Sequence, residues 1–156
     1  MSQGIASSAD AELILKLYEL RTEAVMRQAR DFVCGEFWPA TADEFFVVQN
    51  DSGSPKNAYL RQVVTYWEMA ASLVLHGALS ADLFVDCNAE PFFILAKLSH
   101  ILPEIHEKMP RYFSRVLALI ESSQAAATRY EVARKGVEKM REARSADWLR
   151  QPHTVR

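Results

Sequence analysis

The pattern of apolar and polar positions between Tyr59 and His76 predicts a helix that is buried over most of its surface. At about 100° per residue, polar side chains spaced three or four positions apart lie on one narrow face of a helix. The other positions are almost all apolar, which is more than the single stripe of a surface helix. We therefore expect neighbouring helices to surround this segment. The residues of the polar strip are Arg61, Thr65, Glu68, Ser72 and His76.

This polar strip has two interpretations. It is either a thin line of contact with solvent, or it faces a pocket or a partner with Glu68 as its charged centre. A buried carboxylate needs a cation nearby, because an unpaired buried charge is strongly destabilising. The candidate cations are Arg21, which interrupts the apolar arc of the first predicted helix, and Lys97. We interpret such a pair as a structural ion pair rather than as an acid/base catalyst.

The rest of the chain predicts an all-α fold: a single-domain helical bundle without a sheet. Pro39 closes the first helix, a capping-box pattern from Thr41 to Glu44 opens a short one, and Gln49–Lys56 is a loop. We expect residues 9–145 to form the bundle, and residues 1–8 and 146–156 to be flexible. The longer helices are predicted at about 9–37, 57–76, 90–102 and 111–143, with short helices near 42–48 and 81–87.

The last predicted helix carries an apolar seam with heptad spacing, which is typical of a helix that packs against another along its length. The first helix, antiparallel to it, is the expected partner, and the charge-rich end is expected to pair with a second copy. The preferred function is therefore a non-enzymatic interaction or scaffold protein that forms a homodimer through its long terminal helices. The seam consists of Tyr112, Val116, Leu119, Ser123, Ala126, Tyr130, Ala133, Val137 and Met140.

Composition and charge add little to this picture. The 156 residues carry a formal net charge of −2, and 24% of them are charged, which is ordinary for a globular domain. A basic surplus after Thr128 is interleaved with glutamates and has few aromatics, so we expect no nucleic-acid partner. The sequence shows no signal peptide and no apolar run that would span a bilayer, so we expect a cytoplasmic protein without a membrane role. Cys34 and Cys87 lie far apart and fit a reducing compartment.

The sequence contains none of the motifs that mark a common catalytic or cofactor site. The phosphate-binding patterns GxxxxGK and GxGxxG, the hydrolase pattern GxSxG and the zinc pattern HExxH do not occur. His100, Glu104 and Glu107 have the spacing of metal ligands on one helix face, but Pro103 interrupts the backbone between them. We therefore expect no metal and no cofactor. The alternative function is a small-ligand-binding protein or an enzyme, with a pocket along the polar strip.

The segment around Glu68 also resembles a bacterial family of helical domains of unknown function. The likeness rests on YWEMA at 66–70, LHGALS at 75–80 and DLF at 82–84, within residues 59–110. The shared pattern is an aromatic residue and a glutamate on a helix, then a glycine, an aliphatic residue and a short acidic helix. The resemblance implies an all-helical fold and supplies no reaction and no catalytic residues. Many relatives carry an N-terminal membrane anchor, which we do not expect in this chain.

Overall fold

The computed structural model describes residues 5–150, with side chains described as far as Ser145. Every regular element in this range is a helix and none is a strand, so the predicted all-α fold is confirmed. The elements are α1 (Ser8–Thr22), α2 (Ala24–Arg30), a π-helix (Asp31–Glu36), α3 (Ala42–Asn50), α4 (Pro55–Leu75), α5 (Ala81–Cys87), α6 (Glu90–Leu98), α7 (Leu102–Lys108), α8 (Ser114–Ser122) and α9 (Gln124–Arg150).

Helix α4 is the predicted central helix, and its neighbours surround it. The Ser54 hydroxyl caps its start by accepting from the Lys56 amide, and Gly77 follows its end with a φ of 74°. Helices α2, α3 and α8 and the π-helix cover its apolar faces. The buried apolar residues of α4 are Leu60, Val63, Val64, Trp67, Ala70, Ala71 and Val74.

The structure divides the predicted first helix, residues 9–37, into three elements. Glu23 leaves the helical region with a ψ of 144°, and its carboxylate accepts hydrogen bonds from the amides of Val25 and Met26. It therefore ends α1 and caps α2. After Arg30 the helix widens into the π-helix, a rare form that often marks an inserted residue.

The predicted last helix, residues 111–143, is divided as well. Helix α8 begins only after Phe113, and Ser123, with a ψ of 119°, separates it from α9. The Ser123 hydroxyl accepts from the Ala126 amide and so helps to restart the helix. Because the chain changes direction at Ser123, α9 packs mainly against α5, α6 and α8. The prediction that the last helix pairs with the first helix in an antiparallel arrangement is therefore wrong.

The heptad seam is largely buried within the chain itself. Val116, Leu119, Ala126 and Val137 are buried, whereas Met140 at the seam's end is 45% exposed. The seam thus contributes to the core of this protomer, where α8 and α9 meet the rest of the bundle.

The remaining boundaries differ in detail. The predicted helix 90–102 ends at Leu98, and Pro103 lies in the first turn of α7. Helix α9 continues to Arg150, beyond the start of the predicted tail at residue 146, while residues 1–4 and 151–156 lie outside the described residues. Over the described range, no helix combines the length and the apolar character needed to cross a membrane.

Two matched substitutions test whether α4 is enclosed. Leu60 is fully buried, so we expect Leu60→Ala to lower the free energy of unfolding by about 2–5 kcal/mol through lost contacts and a residual cavity. Leu15 on α1 is 68% exposed, and Leu15→Ala should change stability by less than about 0.5 kcal/mol. Urea unfolding of both variants measures the difference, and equal effects would contradict an enclosed α4.

Candidate functional site

The structure places Glu68 at the start of α8. One carboxylate oxygen accepts from the backbone amides of Arg115 at 3.1 Å and Val116 at 3.0 Å, and the other accepts from the Arg115 amide at 3.1 Å. Amide groups at a helix N-terminus are unsatisfied within the helix and carry partial positive charge, so they stabilise a carboxylate. Glu68 on α4 therefore caps a helix that lies almost fifty residues further along the chain.

The predicted ion pair of Glu68 with Arg21 or Lys97 is not formed among the described side chains, and this expectation is corrected. The Arg21 guanidinium lies 5.2 Å from the centroid of the Tyr18 ring. The physical reason is that backbone amides replace the cation that a half-buried carboxylate would otherwise require.

A different, partly buried ion pair joins α2 to α6. The Arg30 guanidinium donates to Glu90 through Nε at 2.8 Å and Nη2 at 2.6 Å, and the Trp67 indole Nε1 donates to the same carboxylate at 3.1 Å. Hydrogen bonding to Glu90 raises the pKa of Arg30. This pair is not predictable from the sequence pattern, because Glu90 occurs in the first turn of a helix, where an acidic residue needs no special partner.

Lys97 is also buried, with 1% of its surface exposed. Its Nζ donates to the backbone carbonyls of Val33 at 2.6 Å and Cys34 at 3.1 Å, which belong to the π-helix. Burial lowers the pKa of Lys97 to about 8, and burial raises the pKa of the Cys34 thiol to about 12. Lys97 thus attaches α6 to the π-helix through carbonyl groups rather than through a carboxylate.

Three of the five strip residues, Arg61, Thr65 and Glu68, line one groove of about 580 Å³. The opposite wall is the connection between α7 and α8, residues 109–113, and Val64 lies on the α4 side. The lining is mostly apolar, and the volume falls within the range that is common for small-molecule sites. The other two strip residues, Ser72 and His76, do not line the groove. The His76 ring forms a hydrogen bond with the backbone carbonyl of Ser72 at 2.8 Å.

The wall formed by residues 109–113 is held in an unusual conformation. Phe113 has a φ of 55°, which lies in the left-handed region that residues other than glycine rarely adopt. The Tyr112 ring packs 5.2 Å from Phe45 and 5.5 Å from Phe113, and the Tyr112 carbonyl pairs with the His106 ring at 2.8 Å. Backbone strain of this kind persists only where surrounding contacts hold it, and it often accompanies binding sites.

Among the residues that the structure describes, two buried polar atoms beside the groove have no hydrogen-bond partner: the Tyr112 hydroxyl and the Gln49 side-chain oxygen. Most buried polar atoms in proteins are paired, so these two mark a locally incomplete network. Burial together with nearby Glu68 raises the pKa of Tyr112, which keeps its hydroxyl protonated.

The mouth of the groove is positively charged. Arg61 and Arg111 are exposed lining residues, and neither forms an ion pair with any side chain described by the structure. The carboxylate among the lining residues, Glu68, is already bonded to the start of α8. The groove therefore offers an apolar floor with two arginines at its edge.

The fold defines an all-α domain in which one central helix is wrapped by shorter helices and bordered by an apolar groove. Residues 6–123 match the model of a family described as domain of unknown function (DUF4760), and the chain belongs to this family. The resemblance seen in the sequence is thereby confirmed. The match covers α1 to α8 and ends at Ser123, where α8 and α9 separate. Searches of curated proteins and of solved structures give no match to this chain.

Substitution of Glu68 tests its role as a cap. We expect Glu68→Ala to lower the free energy of unfolding by about 1–3 kcal/mol, because the amides of Arg115 and Val116 lose their acceptor. Glu68→Gln keeps one acceptor oxygen, so its free energy of unfolding should fall by less. The control is Glu121→Ala, an exposed residue near the end of α8, for which we expect almost no loss. Thermal and urea unfolding measure all three, and a neutral Glu68→Ala would refute the cap.

The buried amine of Lys97 should make stability depend on pH. Its pKa is about 8 in the folded chain and 10.5 in the reference state, so unfolding takes up a proton between these values and stability should rise with pH. Cys34 opposes this rise in stability above pH 9, because its thiol ionises only on unfolding. Arg144 and Arg141 also contribute to the lowering of the Lys97 pKa.

The measurement uses Cys34→Ala as the background, with and without Lys97→Met. The parent should gain stability from pH 8 to about 9, below the range in which Tyr66, Tyr112 and Tyr130 ionise only on unfolding, because burial raises their pKa values. The slope should be at most about 1.4 kcal/mol per pH unit. Lys97→Met should reduce that slope markedly. Parallel pH profiles of the two proteins in urea unfolding would show that Lys97 is not the titrating group.

Proposed function

We propose that this chain is a non-enzymatic binding protein whose groove holds an organic anion with an apolar body. The observation that carries the proposal is an apolar groove of about 580 Å³ with two arginines at its mouth that form no ion pair with the described side chains. Guanidinium groups suit carboxylates and similar anions, because their donors match two oxygens at once.

The polar groups of the groove favour binding over catalysis. The Thr65 hydroxyl donates to the Arg61 carbonyl at 2.7 Å, and Glu68 accepts from the backbone of α8. A nucleophile needs an adjacent base, and a general base needs reach to a substrate proton. Both groups are engaged in backbone hydrogen bonds, so we assign them structural roles in positioning the groove. In this proposal the protein is cytoplasmic, in keeping with its two free cysteines.

Self-association through the terminal helices is the second proposal. The burial of the heptad seam within the chain weakens the reason for it, but both helices retain exposed apolar side chains. These are Leu15 and Tyr18 on α1, and Val132 and Met140 on α9. Light scattering at micromolar concentration tests the proposal: a dimer that Leu15→Glu or Val132→Glu dissociates would support it, and a monomer at every concentration would end it.

The groove is tested with anilinonaphthalene sulfonate, an apolar ring system that carries one negative charge. We expect fluorescence titration to show saturable binding to the folded chain. Thr65→Trp, which fills the groove from α4, should weaken binding at least about tenfold. The matched control is Thr128→Trp on the exposed face of α9, which should bind like the parent.

A second probe separates the charge from the apolar floor. Arg61→Gln combined with Arg111→Gln should weaken binding of the sulfonate but leave binding of the neutral dye Nile red unchanged. Circular dichroism confirms that each variant is folded, since partly unfolded chains also bind such dyes. If the Thr65 and Thr128 variants bind the sulfonate equally well, the ligand lies elsewhere and the proposed function fails.

A further inference from the structure

Three cationic side chains surround the indole ring of Trp38, close to where α6 and α9 meet. Lys97 Nζ, Arg144 Cζ and Arg141 Cζ lie 4.3, 4.8 and 5.8 Å from the centroid of Trp38. These distances place the three charges within about one Debye length of one another, which is roughly 10 Å at 0.1 M salt. Cation–π attraction to a single ring offsets only part of their repulsion.

No described carboxylate neutralises this group, which we call the Trp38 cation cluster. The ion pairs among the side chains up to Ser145 are Lys16–Glu19, Arg30–Glu90 and Arg134–Glu131, and none involves the cluster. Arg141 and Arg144 add to the lowering of the Lys97 pKa, and burial lowers the pKa of Arg141. The cluster is therefore a local excess of positive charge.

Arg141 connects the cluster to a cleft of about 540 Å³ between α6 and α9. Its Nη2 is fixed by the Lys97 carbonyl and by Nδ1 of His100 at 3.2 Å, while the other His100 nitrogen faces the Ala40 carbonyl at 3.2 Å. This arrangement assigns a neutral imidazole to His100, and burial lowers its pKa accordingly. Within the described residues, Nε and Nη1 of Arg141 have no hydrogen-bond partner, so they stay available to a ligand.

The cleft supplies further donors. Arg134 and Tyr130 line it as further donors, and Arg134 is held at 3.3 Å by Glu131. The Ser99 hydroxyl also lies in the lining, but it already donates to the Ala96 carbonyl at 2.9 Å. Glu138 is the carboxylate among the lining residues and lies exposed at the edge. Arginine forks of this kind bind two oxygens of one anion, and the excess charge of the cluster favours a ligand with more than one negative charge.

We propose that the α6–α9 cleft binds a multivalent oxyanion of the phosphate class, with Arg141 and Arg134 as its direct ligands and the Trp38 cation cluster as the source of the attracting field. This site is independent of the groove beside α4. Both arginines belong to α9, which lies outside the family match of residues 6–123. The site would therefore be a property that α9 adds to the family domain.

Calorimetric titration with inorganic pyrophosphate, at constant ionic strength set with sodium chloride, tests the proposal on the full chain. We expect saturable binding that Arg134→Gln and Arg141→Gln each weaken by about tenfold or more. The control is Arg129→Gln, an exposed arginine on α9 outside the cleft, which should bind within about twofold of the parent. The Arg134 side chain is 44% exposed, so its variant should fold normally even if Arg141→Gln is destabilised.

A second arm distinguishes a free phosphate from a lipid phosphate. Vesicles of phosphatidylcholine with phosphatidic acid are sedimented with the parent and with Arg134→Gln. Pyrophosphate binding that depends on Arg134 supports a soluble ligand, and vesicle binding that depends on Arg134 supports a phospholipid headgroup. If neither probe binds the parent, or if Arg129→Gln loses as much affinity as Arg134→Gln, the proposal is overturned.

Discussion

A nearly enclosed carboxylate joins the main parts of this fold. The Glu90 side chain is 12% exposed and accepts hydrogen bonds from Arg30 and from the Trp67 indole. Arg30 also donates to the Arg21 carbonyl at the end of α1. A buried charge that loses its partners is strongly destabilising, so these contacts hold α1, α2, α4 and α6 in one arrangement. Helix α2, which covers part of the apolar surface of α4, is held in place by these contacts.

The candidate groove depends on a second carboxylate with a different kind of partner. Glu68 fixes the point where α8 begins, and the preceding residue Phe113 takes a left-handed conformation so that the chain can turn into that helix. Residues 109–113 consequently stand apart from α4 and leave an apolar groove between them. The polar strip on α4 is therefore neither purely solvent contact nor wholly a pocket, because Arg61 and Thr65 line the groove while Ser72 and His76 lie beyond it.

The sequence was sufficient for the all-α class and for the central helix. It was insufficient for the breaks in the first and last predicted helices and for the partners of the charged side chains. Helical periodicity located α4 to within two residues at each end, because most of its surface is apolar. The same periodicity could not locate the break at Ser123, since heptad spacing continues across a single non-helical residue. Nor could it pair Glu68, because backbone amides carry no residue-specific signal. Arg30 and Glu90, sixty residues apart, meet only through the tertiary fold.

The π-helix after Arg30 has a consequence for the tolerance of this chain to insertion and deletion. A π-turn accommodates roughly one more residue than an α-turn, so it offsets the rotation of everything on one side of it by about 100°. Deleting one residue between Asp31 and Glu36 would restore ordinary α geometry, yet it would turn the buried Phe37 away from the core and withdraw the Cys34 carbonyl from Lys97. The helical register of the side chains that follow this turn thus depends on the number of residues in the turn as much as on their identity.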